Sequence, residues 1–444
     1  MKNIVILLNN IKKLFFAIII VTIYSCSTDK VTNEVDVDTD NTDSNENTPN
    51  ILLIIADDIG KDAINGFSEG NIKPNTPNID AIRNSGLSFT NFWAYPTCSP
   101  TRATILTGKY GYHTGVKWAG DELDLSEKSL QKYINEETNN KYSTALVGKW
   151  HLSGSNSSFN PEVYGIDYFS GLIRGEAQSY YNWLLTEDGT GNLENEYTTK
   201  KFTDVAIDWI SKQNKPWFMW LAHNAPHTPF HAPPVEMHNQ GNLPDYEEGM
   251  DAMPYFMAAI EALDFQIGRL LESIPTDERE NTVIIFLGDN GTPNEVAQEP
   301  YLGSTAKGSL HQGGVNVPLF ISGKGVSRTG DINNLITSTD LFATIAEIAG
   351  ISVSEINDSK SFKPLFTQDA AIRNFQYAES NNRKEAWVIS NGSYKLFENV
   401  DGDKEFFILD NDPYENNNLL NGVLTTNETN AKLGLEAQLL EIRK

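Results

Sequence analysis

Cysteine is almost missing from this chain: Cys26 and Cys98 are the only two in 444 residues. Cys26 closes an N-terminal export segment, so Cys98 has no disulfide partner in the folded part, and a disulfide framework is excluded. Basic residues are scarce too, with 34 Lys and Arg against 59 Asp and Glu. The formal net charge of −25 argues against nucleic acid, whose phosphates need a basic surface. Such a surface also repels anions at long range, so an anionic substrate would need cations concentrated in its pocket. The apolar run at residues 14–24 is too short to span a bilayer stably, and no internal repeat is apparent.

What is present at the N-terminus fits export. Lys2, Lys12 and Lys13 precede the apolar run, and Ile23-Tyr24-Ser25-Cys26 resembles a bacterial lipobox. Residues 1–26 are therefore expected to be a lipoprotein signal ending at a lipidated Cys26. The protein would be an exported lipoprotein of a bacterial cell envelope, on the outer membrane and facing the periplasm or the surface. Residues 27–49 are rich in Asp, Glu, Asn, Ser and Thr and read as a disordered acidic tether with too little to bury.

From Asn50 onward the chain is long enough for one large core and a small appendage. Residues 50–56 form a continuous apolar, β-branched run, the pattern of a strand buried on both faces, and it stops at Asp57-Asp58. Thr76-Pro77 begins a helix that Gly86 stops. Strands are predicted at 143–147, 217–221, 283–287 and 317–321, with helices at 203–211, 257–273 and 340–348 between them. This alternation predicts an α/β domain over residues 50–373, with a large, mostly parallel central sheet covered by helices on both faces. Beyond it, 386–390, 394–397 and 406–409 read as short strands, with Asn391-Gly392 as a turn. Residues 374–444 are thus expected to form a small antiparallel sheet subdomain.

Ligands of such parallel sheets gather at the carboxyl ends of the strands, where Asp57-Asp58 and Asp289-Asn290 both fall. They offer three carboxylates and an amide oxygen, hard donors suited to Ca²⁺ or Mg²⁺ rather than zinc. Alone, either pair could equally be a solvated loop or a bare turn. His223, His227 and His231 recur every four residues, but Pro226 and Pro229 would break a helix there. The segment is better read as an extended loop offering one or two histidines to a pocket. Gly148-Lys149-Trp150-His151 places a cation and a titratable ring two residues apart.

The series Asp57-Asp58, Cys98-Ser-Pro-Thr-Arg102, Gly148-Lys-Trp-His151, Ala225-Pro-His227, Gly288-Asp-Asn-Gly291 and Lys307 before Gly313-Gly314 resembles the type I sulfatases of the alkaline phosphatase superfamily. The resemblance runs from Asn50 to the C-terminus, and Leu106-Thr-Gly-Lys-Tyr110 extends it. It implies a sulfuric ester hydrolase. Cys98 would be oxidised to formylglycine (3-oxoalanine) by a maturation enzyme and hydrated to a geminal diol. One hydroxyl would attack sulfur and the other would later expel sulfate, splitting the chemistry into two easier steps. The resemblance assigns one Ca²⁺ (Mg²⁺ being possible) to Asp57, Asp58, Asp289, Asn290 and residue 98. It assigns charge neutralisation to Arg102 and Lys149, leaving-group protonation to His227 with Lys307, and the elimination base to His151.

Where many relatives read Glu-Gly-Gly and then Arg-Val-Pro, this chain has Gln312-Gly-Gly and then Asn316-Val-Pro. A negative and a positive charge are lost together: the two residues read either as a compensated pair, since joint loss preserves the balance a buried pair requires, or as a change in the substrate pocket. A lipid-anchored sulfatase would meet extracellular sulfated glycans, and the family context suggests an algal polysaccharide or its oligosaccharides. Residues 153–197 and 223–254 read as loops rich in aromatics, among them Tyr164, Tyr168, Tyr180, Tyr181 and Trp183, suited to stacking on sugars. Arg174, His231 and His311 are candidate substrate binders. A formylglycine-dependent phosphodiesterase or phosphonate monoesterase is the alternative, and a non-catalytic glycan-binding lipoprotein is a third reading.

Overall fold

The computed structural model describes residues 48–301 and 303–444; Cys26 and most of the tether lie outside them. A ten-stranded sheet runs through the protein. Its order across is Gly330–Ile332, Leu87–Phe89, Leu319–Gly323, Thr282–Gly288, Asn50–Ala56, Trp217–Ala222, Ser143–Lys149, Tyr168–Leu172, Trp183–Glu187 and Thr190–Glu194. The five strands from Thr282–Gly288 to Tyr168–Leu172 are mutually parallel. Antiparallel strands extend the sheet on both sides of them.

The central strand shows why an uninterrupted apolar run was needed. Ile51, Leu53 and Ile55 belong to the core on one face, with Phe218, Trp220 and Ile285. Leu52, Ile54 and Ala56 belong to the core on the other, with Met219, Ile284 and Phe286. Helices cover both faces, because strands buried on two sides need apolar partners on each. The helices Pro77–Asn84, Thr198–Ile210 and Met253–Ser273 bring Ile79, Phe202 and Phe256 to one face. Cys98–Thr107, Leu130–Glu137 and Leu341–Ile348 bring Ile105, Ile134 and Phe342 to the other.

At the C-terminus four antiparallel strands, Gln376–Ser380, Ala386–Ser390, Tyr394–Asn399 and Lys404–Ile408, pack with the helix Thr426–Ile442. Their core also takes in Tyr110, from the end of the Cys98 segment. The turn at Asn391-Gly392 is present, with Gly392 at φ +93°.

Two parts of the chain differ from the sequence reading. Residues 153–197 are not all loop, since they supply three strands of the main sheet. Their turn signal was Asp188-Gly189, both at positive φ (48° and 69°) as a two-residue hairpin of this type requires. The C-terminal helix also went unread, although Thr425 and Glu428 form a reciprocal capping box at its start. Among the described residues no helix is long and apolar enough to cross a membrane.

The strand Trp217–Ala222 leads into His223, which is fully buried with both ring nitrogens unpartnered. Burial lowers its pKa to about 3. In the unfolded chain the ring protonates near its ordinary value of 6.5, so protons favour unfolding as pH falls from there toward 3. The contribution to stability is complete above pH 6.5 and is lost below it. His223→Leu should therefore shed about 2 kcal/mol less stability than the parent between pH 7 and pH 5, at about 1.4 kcal/mol per pH unit. Denaturant titrations at the two pH values measure the difference, and equal acid sensitivity in both proteins would refute this account.

Candidate active site

The parallel strands deliver their chemistry at one edge. Asp57 and Asp58 follow Asn50–Ala56, Asp289 and Asn290 follow Thr282–Gly288, and Lys149 ends Ser143–Lys149. These residues are at most 1% exposed. The loops are locked to one another by backbone: Asp57 N–H donates to Ala225 O (3.1 Å) and Asp289 N–H to Ala56 O (3.1 Å). Asp58 N–H then donates to Asp289 Oδ1 at 3.1 Å. Asp58 is left-handed, at φ +74°, a conformation that costs energy for a non-glycine residue and is kept where the surroundings impose it.

Each carboxylate faces a cation. Lys149 Nζ donates to Asp57 Oδ2. Arg102 donates from Nε and Nη2 to Asp289 Oδ2 (3.2 and 2.8 Å), and from Nη1 to Lys149 O (2.7 Å). Lys307 Nζ reaches Asp58 Oδ2 at 2.6 Å. Burial opposes charge throughout. It raises Asp289 to about 6, helped by Asp57 and countered by Arg102. Burial would also raise Asp58, but Lys307 and His227 outweigh it and bring this carboxyl down to about 2. Burial would deprotonate Lys149, yet Asp57 prevails and its pKa ends raised.

Cys98 is the first residue of the helix Cys98–Thr107, so it sits at the positive end of that helix. Its Sγ lies 3.1 Å from His151 Nδ1. Burial raises the thiol pKa, so residue 98 as cysteine lacks the thiolate character of an activated nucleophile. Burial, then Lys149 and Arg102, hold His151 well below its ordinary pKa, leaving the ring neutral at pH 7. His227 Nδ1 donates to Thr228 O (2.8 Å), which directs Nε2 to Asp58 Oδ2 at 3.8 Å. Burial lowers His227 to about 4 against the pull of Asp58.

Two oxygens in this floor have no partner: Asp57 Oδ1 and Asn290 Oδ1, both buried. Most buried polar atoms in folded proteins have a hydrogen-bond partner. Asp57 and Asp289 offer oxygens within 4.8 Å of each other and of Cys98 Sγ. A hard divalent cation fits this donor set, since it would satisfy both orphan oxygens and take carboxylates and an amide oxygen as ligands.

Above the floor opens a cavity of about 630 Å³ lined by Cys98, His151, His227, Lys307 and Arg174, with Glu176 and Gln178 at its side. Two sequence candidates do not line it. The His231 ring stacks on Tyr180 at 3.6 Å between centroids, and its Nε2 lies 3.1 Å from Tyr197 OH. His311 Nδ1 instead faces Glu415 Oε2 at 3.2 Å. Both engage groups inside the protein. Of the aromatics considered for sugar contact, Tyr164, Tyr180 and Trp183 are buried.

A family model described as Sulfatase matches residues 49–351, and one described as N-sulphoglucosamine sulphohydrolase, C-terminal, matches residues 303–444. The chain belongs to the sulfatase family. It is 26% identical to the uncharacterized sulfatase YdeN of Escherichia coli over 70% of this chain, and it spans only 64% of that relative's length. An arylsulfatase of Klebsiella aerogenes is 25% identical, covering 71% of this chain and 89% of its own. The solved structure of Ps i-CgsB in complex with k-i-k-neocarrahexaose matches with a TM-score of 0.71 at 25% identity, over 84% of this chain and 89% of that one.

In this sulfatase the Gln312–Asn316 departure is a direct contact: Asn316 Nδ2 donates to Gln312 Oε1 at 2.8 Å. A neutral hydrogen bond joins the two positions.

Sequence reasoning missed Asp62 and Thr292. The Thr292 hydroxyl accepts from Gly60 N–H (3.1 Å) and donates to Asp62 Oδ1 (2.6 Å), while its carbonyl accepts from Lys307 N–H (3.1 Å). One residue thus ties together the segments that carry Asp57-Asp58, Asp289-Asn290 and Lys307. Asp62 and Thr292 are at most 1% exposed, and no motif spacing announces their pairing across 230 residues. If the donor set takes a divalent cation, Thr292→Val should weaken its binding by about 10- to 100-fold, as loss of groups orienting metal ligands does, whereas Thr292→Ser should retain it. Calorimetric Ca²⁺ titration of both variants is the check; parent-like affinity in folded Thr292→Val would sink the positioning role.

Proposed function

We propose that this sulfatase hydrolyses sulfate esters of a carbohydrate, an extracellular polysaccharide of algal type or its oligosaccharides, releasing inorganic sulfate and the free hydroxyl. The observation that carries this reading is the roomy cavity with residue 98 at its base, amid three carboxylates, three cations and two orphan oxygens. A pocket of this size holds a sugar-sized leaving group. The k-i-k-neocarrahexaose in complex with the similar structure Ps i-CgsB supports a carbohydrate as the substrate class.

Cys98 would be converted to formylglycine by a maturation enzyme, which supplies a hydratable aldehyde in place of an unactivated thiol. Ca²⁺, held by Asp57, Asp58, Asp289, Asn290 and residue 98, would supply Lewis acidity toward the sulfate oxygens. Arg102 and Lys149 keep positive charge beneath residue 98. Neutral His151, with Nδ1 3.1 Å from that side chain, would accept a proton from a hydroxyl there. His227 and Lys307 line the cavity and would give a proton to the departing alcohol. A bound anion would raise the His227 pKa toward the range such a donor needs. By the N-terminal signal reading, the enzyme would be an exported lipoprotein anchored through Cys26 in the cell envelope.

Natively matured protein assayed side by side on aryl sulfate, sulfated oligosaccharides, an aryl phosphodiester and a phosphonate monoester tests the proposal. Sulfate release from saccharides, with kcat/KM for sulfate esters well above that for phosphorus esters, is expected. Preference for the phosphorus esters would establish the alternative chemistry. Saccharide binding without turnover of any ester would establish the glycan-binding reading.

A further inference from the structure

The cavity over Cys98 has two kinds of wall. Its inner polar groups are committed: Lys307 to Asp58, His227 to Thr228, His151 to Cys98. The outer ones are not. The side chains of Arg174, Glu176, Gln178 and Ser155 have no hydrogen-bond or ion-pair partner among the described residues. Buried Arg102 and Lys149 have their charges balanced by Asp289 and Asp57, and Lys307 is balanced by Asp58. Arg174 is the lining cation left unpaired, in a protein of net charge −25.

The position of Arg174 follows from the sheet. The pairing of Ser143–Lys149 with Tyr168–Leu172 continues past the strand ends, as Trp150 N–H donates to Leu172 O (2.8 Å) and His151 N–H to Ile173 O (3.1 Å). Gly175 then packs against the His151 ring, with a Cβ at 175 falling 2.2 Å from its Cε1. Only a residue without a side chain leaves that ring in place, so Gly175 holds the backbone between Arg174 and Glu176 against His151. Beyond them lies a second cavity of about 350 Å³. It shares Arg174, Glu176 and Gln178 with the first and is floored by Leu172, Trp183 and Leu184.

We propose that the second cavity is a subsite for the sugar next to the one that carries the scissile sulfate, and that Arg174 binds an oxyanion on that sugar, a sulfate ester or a carboxylate. This deepens the reading of the chain as a carbohydrate sulfatase and rests on it. A guanidinium forks onto two oxygens of either group. Glu176 and Gln178 supply the acceptors and donors that sugar hydroxyls require. The apolar floor suits a sugar's C–H face. The enzyme therefore selects an oligosaccharide bearing negative charge on two adjacent sugars.

The test uses natively matured parent, Arg174→Gln, Arg174→Lys and Leu184→Trp proteins. Substrates are an aryl sulfate and sulfated carrageenan- and chondroitin-type disaccharides whose neighbouring sugar is plain, sulfated or a uronate. Arg174→Gln should lower kcat/KM for the oxyanion-bearing disaccharides by about 10- to 100-fold more than for plain disaccharide or aryl sulfate, mainly through KM, as expected for a lost charged hydrogen bond. Arg174→Lys should restore part of the loss. Leu184→Trp, at a half-exposed position where folding is safe, should narrow the subsite and raise KM for disaccharides alone. The sulfated and uronate arms show which oxyanion is taken. Equal losses on every substrate in Arg174→Gln would overturn the inference while leaving the sulfatase reading intact. Turnover of aryl sulfate with no disaccharide hydrolysed would overturn the inference together with the carbohydrate-substrate reading on which it rests.

Discussion

Asp57, Asp58 and Asp289 crowd three carboxylates into a space almost free of solvent, and the site depends on how their charge is balanced. Burial alone would protonate them. Lys149, Arg102 and Lys307 each bond to a different one of the three, so charge is balanced carboxylate by carboxylate rather than at a single point. The parallel sheet makes this possible, because adjacent parallel strands end side by side and aim their following loops at one place. The balance also leaves Asp57 Oδ1 and Asn290 Oδ1 unbonded, the feature that suits the floor to a hard cation rather than to a closed salt-bridge cluster.

The two histidines sit on either side of this floor in different electrostatic settings. His151 faces residue 98 and is surrounded by Lys149 and Arg102, which favour its neutral form. His227 faces Asp58, which resists that tendency. In the proposed mechanism the first ring receives a proton and the second gives one, and their different settings arise from neighbours rather than from residue type.

Much of this was legible in the residues. The run at 50–56 had to be a two-face buried strand, and Asp57-Asp58 had to leave its carboxyl end. Pro226 and Pro229 ruled out a zinc-like helix of histidines, and the segment is a loop as they require. What escaped was set by contacts distant in sequence. Of the strands within 153–197, Thr190–Glu194 is exposed at the sheet edge, where burial does not enforce an apolar pattern, and Tyr168–Leu172 carries Ser170 and Gly171 inside a buried stretch. Thr292 and Asp62 look ordinary until folding brings them to 2.6 Å. His231 and His311 look available as pocket groups, yet stacking on Tyr180 and contact with Glu415 occupy them. Gln312 and Asn316 could be suspected of compensating each other, and their hydrogen bond supplies the contact that makes compensation physical.

The account stands or falls on the chemical identity of residue 98 in working enzyme. Mass spectrometry of the peptide containing Cys98, from natively matured protein with measured sulfate-releasing activity, addresses it directly. The account predicts that the active fraction carries the aldehyde, seen as a loss of about 18 Da from the cysteine peptide by the chemistry of thiol-to-aldehyde conversion, with activity tracking the converted fraction. Full activity in protein that retains an intact thiol at residue 98 would contradict it.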